Sequence, residues 1–142
     1  MRAIAAVMEE KGVGVSELYE AGLRVRKEVL GETYVDSALG NADSFNREFQ
    51  EFITEYGWGG VWARPGLSRK QRSLNNLCML AALNRPHEFK LHLRGAFNNG
   101  CTIEEIKETL FQITVYCGGP AGVEGFRLAR EVIEELGIEI EK

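Results

Sequence analysis

Two capping patterns bracket the middle of this chain, Ser68 with Gln71 (S-x-x-Q) and Thr102 with Glu105 (T-x-x-E). Each stands directly ahead of a long stretch whose apolar residues recur at helical spacing. The first amides of a helix have no partner inside it, so a side-chain oxygen at this position marks a start. One helix is therefore predicted through LNNLCMLAAL to about Leu83, and another from Thr102 through Cys117, closed by Gly118, Gly119 and Pro120. Between them the chain turns near Asn84, and Pro86 sits acceptably in the first turn of a helix that runs to Asn99 and stops at Gly100.

The same reasoning extends to the rest of the chain. Ser16 caps a helix through ELYEAGLRVRKEVL that stops at Gly31, and a last helix covers Ala121 to Leu136. A further helix starts near Asp43, where Phe45, Phe49, Phe52, Ile53 and Tyr56 make one apolar stripe that wants a partner. It is expected to end in the irregular stretch GWGGVWARPG, whose glycines and proline break helix while Trp58 and Trp62 supply two large aromatic bodies. No stretch has the period of a strand, so the chain reads as all-α.

At 142 residues the chain is the size of a single domain, and residues 1–15 are set aside as a flexible or accessory segment. With 44% hydrophobic and 27% charged residues it is an ordinary globular composition. A net charge of -4 argues against nucleic acid or anionic lipid as partner. No apolar run reaches the roughly 20 residues of a membrane helix, so a cytoplasmic protein is expected. Cys78, Cys101 and Cys117 are odd in number and widely spaced, which points to three reduced thiols. Cys78, in LCMLAAL, reads as core, and Cys117 as simple packing. C-x-x-C, H-E-x-x-H, G-x-S-x-G and phosphate-loop patterns are all missing, and only His87 and His92 could supply imidazole, so no metal or cofactor is expected.

Chemistry is concentrated on the central helices. At about 100° per residue Arg85, Glu88 and His92 fall within an arc of roughly 60°, with Ala96 leaving room beyond. Arg69, Ser73 and Asn76 share a face of the preceding helix with Arg72 beside it, and Gln112 and Tyr116 pair on the following one. Buried polar groups are costly unless partnered, so these seams are expected to converge on a cavity suited to a small anion. Imidazole moves protons near neutral pH, guanidinium grips carboxylates, and Glu88 can orient the ring. From spacing alone, a His and Glu four apart are more often a surface pair, and the tryptophans more often core or subunit contacts than substrate walls.

The order of four segments, VRKEVLG, YGWGGVWARPGLSRKQRS, LHLRGAFNNGCTIEEIKE and VYCGGPAG, resembles the carboxymuconolactone decarboxylase family over residues 24–135. That resemblance implies an all-α, alkylhydroperoxidase-like fold of about six to seven packed antiparallel helices, assembling into a ring as a trimer or hexamer. It also implies cofactor-free decarboxylation of 4-carboxymuconolactone, or a close lactone dicarboxylate, to beta-ketoadipate enol-lactone in aromatic catabolism.

His92 matches the family's histidine and is expected to protonate the substrate, with Glu88 orienting it. Carboxylate binding falls to Arg85 with Arg69 or Arg72, oxyanion donation to Ser73 or Tyr116 with Gln112 nearby, and Trp58 and Trp62 close the apolar side. The superfamily's peroxidase members carry C-x-x-C-x-x-x-H, but here Arg85 and Glu88 stand at the two cysteine positions. A dithiol cycle has no nucleophile there. The alternatives are a related enzyme with another small organic acid or weak alkylhydroperoxidase activity, and a non-catalytic ring-forming protein.

Overall fold

The computed structural model describes residues 16–142, so the reading of residues 1–15 lies outside the described residues. The described chain is helical throughout, in two compact units that divide at Gly66 and Leu67. Among the described residues there are seven α-helices and one π-helix.

In the N-terminal unit, α1 (Glu17–Leu30) begins where Ser16 Oγ accepts the Tyr19 amide and ends at Gly31, whose φ of 92° is left-handed territory open to glycine. A short helix not anticipated from the sequence follows, α2 (Glu32–Gly40), which buries Val35 with Tyr19 and Leu23. Lys27 reaches back to Asp36 across the junction at 2.7 Å.

The third helix departs from expectation in an informative way. After α3 (Arg47–Phe52) the backbone does not break at the glycines but widens into a π-helix, Ile53–Trp62. The wider turn brings residues four and five apart onto one face, so Thr54, Trp58, Gly59 and Trp62 are buried together against α1. The indoles stack at 4.9 Å and pack on Val25 and Val29. Glycine is required because the backbones nearly touch: a β-carbon on Gly59 would lie 2.2 Å from the Leu18 carbonyl oxygen. The phenylalanine stripe faces the other way and stays open, with Phe45, Phe49, Phe52 and Tyr56 all exposed.

Arg26 is buried under this packing. Its guanidinium donates to Thr54 Oγ1 at 2.9 Å and to Gln50 Oε1 at 2.8 Å, and burial lowers its pKa.

The C-terminal unit holds α4 (Arg69–Ala82), α5 (Pro86–Asn98), α6 (Ile103–Cys117) and α7 (Gly119–Glu135). Helix α4 packs on α5 and α6, and α7 packs on the same two, which closes a four-helix bundle. Leu77, Phe89, Leu93, Ile106, Leu110 and Val132 fill its centre.

The caps fall as expected. Ser68 accepts from the Gln71 amide, and Thr102 with Glu105 forms the full reciprocal box. Gly118 alone separates α6 from α7, because Gly119 and Pro120 already belong to the first turn of α7. No described helix is long and apolar enough to cross a membrane.

Candidate active site

His92 projects from the middle of α5 and is half-buried against α4, where its Nδ1 lies 3.3 Å from Asn76 Nδ2. Burial drives its pKa down to about 4; Glu88, one turn earlier and exposed, pulls in the opposite direction but does not prevail. The ring is therefore neutral at pH 7. His87 is exposed, as its place beside Pro86 suggests.

Arg85 stands differently from the expected helical face. It is the residue before Pro86, and the proline ring disfavours helical backbone there, so Arg85 caps α5 from outside at φ -112° and ψ 75°. Only Glu88 and His92 of the expected arc lie within the helix. Arg85 instead lines a cavity of about 340 Å³ with Asn84, Phe89, Cys117 and Glu124. Asn84 turns the chain at φ 53°.

Ser73 was expected to offer its hydroxyl to substrate, but it is fully buried and accepts a 2.8 Å hydrogen bond from Asn99 Nδ2. It fastens α4 to the end of α5. Arg69 and Arg72 flank it half-buried, and the Arg69 carbonyl receives the same Asn99 amide at 3.5 Å.

Gln112 and Tyr116 are exposed on α6 and line a second cavity, about 160 Å³, with Cys78 and Cys117. Among the described residues, these cavities are lined by Arg85 on one side and by Gln112 and Tyr116 on the other, and His92 lines neither. Trp58 and Trp62, expected to close the apolar side of the site, are core of the N-terminal unit, 6% and 9% exposed.

All three cysteines are free thiols. Cys101 is buried and Cys78 half-buried, and burial pushes both thiols up; Cys117, expected to be packed away, is exposed at the end of α6. Among the described residues no three His, Cys, Asp or Glu side chains come together as metal ligands.

A half-buried neutral imidazole with an amide partner and a nearby carboxylate, on a bundle that carries guanidiniums on the neighbouring turns, is equipped to move a proton beside an anion. Residues 47–131, which include all of α3, the π-helix and α4 through α6, match the carboxymuconolactone decarboxylase family. The chain belongs to that family.

Known members bear this out over nearly the whole length. The chain is 48% identical over 124 residues to 4-carboxymuconolactone decarboxylase of Acinetobacter baylyi, covering 87% of this chain and 92% of that one. It is 47% identical over 119 residues to a nitrosuccinic acid decarboxylase of Metarhizium robertsii, covering 84% and 83% respectively. A Pseudomonas putida 4-carboxymuconolactone decarboxylase sequence is 44% identical over 52 residues, which is 37% of this chain and 98% of that sequence.

Asn76 is the residue of this site that sequence reasoning placed on a polar face without giving it a task. The signal was its position in the Arg69, Ser73, Asn76 seam; what the seam could not tell was that α5 would bring His92 against it.

Proposed function

We propose that this family member decarboxylates 4-carboxymuconolactone to beta-ketoadipate enol-lactone without a cofactor. The observation that carries this reading is the 48% identity to the Acinetobacter decarboxylase over 87% of the chain.

The substrate supplies its own electron sink. When the bond to the departing carboxylate breaks, its electron pair spreads through the adjacent unsaturation onto the lactone carbonyl oxygen, leaving a dienolate. The protein has to hold two carboxylates, stabilise that oxygen and deliver a proton to carbon.

In this mechanism His92 is the proton donor. Unoccupied, its ring is neutral because burial outweighs Glu88. Two substrate carboxylates nearby favour the imidazolium, so the dianion brings its own proton uptake with it. Arg85, with Arg69 or Arg72, takes the carboxylates by paired hydrogen bonds. Tyr116 with Gln112 donates to the dienolate oxygen, and Ser73 supports the site from within.

The exposed Phe45, Phe49, Phe52 and Tyr56 support assembly of copies, because isolated soluble chains seldom leave such a stripe uncovered. In a trimer or hexamer, residues scattered over one chain can face a shared site.

A second reading keeps the chemistry and changes the acid. Nitrosuccinic acid is a dicarboxylic acid whose nitro group can accept the electron pair, and its decarboxylase is nearly as similar to this chain. An ultraviolet assay of the metal-stripped protein on carboxymuconolactone and on nitrosuccinate tests both. Turnover of the lactone supports the first reading, turnover of nitrosuccinate alone the second, and turnover of neither defeats both.

A further inference from the structure

We infer that Asn76 is a positioning residue for His92, fixing which ring nitrogen carries the proton. The inference rests on the proton-transfer role proposed for His92 but is read out separately from it.

Asn76 presents Nδ2 to His92 Nδ1 at 3.3 Å, across the packed faces of α4 and α5. An amide nitrogen only donates, so Nδ1 must accept, and a neutral ring held this way carries its single proton on Nε2. The contact joins residues 16 apart in the chain and is half-buried, where an unmade hydrogen bond is costly. That contact opposes rotation of the imidazole about its own axis and holds the Nδ1 edge toward α4.

The residue type carries meaning as well. An aspartate in the same place would accept from Nδ1–H, reverse the tautomer and hold the ring charged before any substrate arrived. An amide fixes orientation without adding charge, which leaves the charge state of His92 to burial, to Glu88 on its own helix and to whatever anion binds.

The chain has two histidines, so nitrogen-15 NMR of histidine-labelled protein reads the tautomer directly, with His87→Gln assigning the signals. At pH 7 the wild type is expected to show a bare Nδ1 and a protonated Nε2 at His92. Asn76→Leu should give a mixture of tautomers and lower kcat about 10- to 100-fold, as losing a histidine's orienting partner does at metal sites, with KM little changed. Asn76→Asp should move the proton to Nδ1 and raise the pKa of His92.

A wild-type ring protonated on Nδ1 would overturn the inference, as would an Asn76→Leu variant with an unaltered ring spectrum and full kcat. If the wild type decarboxylates neither acid, the functional proposal fails while the ring spectrum still decides which nitrogen Asn76 controls.

Discussion

The α-carbon of Gly22 faces the carbonyl oxygen of Thr54 so closely that a β-carbon there would stand 1.9 Å from it. The obstacle is backbone, which cannot swing aside as a side chain would. Gly22→Ala is therefore expected to pry α1 from the π-helix and destabilise the fold by at least about 1–3 kcal/mol, the usual range for overpacking. Denaturant unfolding measures it; an unchanged midpoint would mean the two helices lie farther apart than described.

Ser73 separates structure from chemistry. Its hydroxyl is buried on Asn99, so Ser73→Ala should leave that amide short of a partner and cost about 1–3 kcal/mol. Turnover by the folded variant should persist. A loss of kcat comparable to that of His92→Ala, with stability unchanged, would return Ser73 to the substrate.

His92→Ala should lower turnover about 10²- to 10⁴-fold, the usual contribution of a general acid. Near-normal kcat in this variant would remove the imidazole from the mechanism.

The depressed pKa of His92 also has a sign. Its folded value of about 4 lies below the ordinary 6.5, so between these pH values the unfolded chain binds more protons than the folded one. The contribution of this group is fully present above pH 6.5 and is lost progressively as pH falls toward 4, amounting to about 3 kcal/mol. Unfolding measured from pH 8 to pH 4 should lose stability more steeply in the wild type than in His92→Gln. A non-reactive dicarboxylate should raise the His92 pKa and bind more tightly as pH falls toward 5; binding indifferent to pH would place the anion elsewhere.

Arg85 lines a cavity of about 340 Å³ and is exposed to an incoming anion. Arg85→Gln keeps a donor but removes the charge, and is expected to lower kcat/KM by about 10- to 100-fold, the equivalent of losing one charge-assisted carboxylate contact. Steady-state kinetics on both acids checks this, and an unaltered kcat/KM would assign the carboxylate to Arg69 or Arg72.

Helix ends were legible in the residues because a cap is a hydrogen bond closed within a few positions. Ser16, Ser68 and Thr102 each bond the amide three residues on, and Gly31, Gly100 and Gly118 take the left-handed backbone that a following turn needs. The family was legible for a related reason, since its motifs are short and their order survives in one dimension. His92 and Glu88 on one face followed from helical geometry alone.

Tertiary packing decided the rest. Nothing local told GWGGVW to continue as a π-helix; the close approach of α1 at Gly22 and Gly59 selects the wider turn, and with it the burial of Trp58 and Trp62. Which of two polar residues one turn apart would be sealed and which would meet the imidazole depended on where α5 came to lie. Ser73 met Asn99 and Asn76 met His92 across separations of 26 and 16 residues, distances at which only the packed bundle brings side chains together.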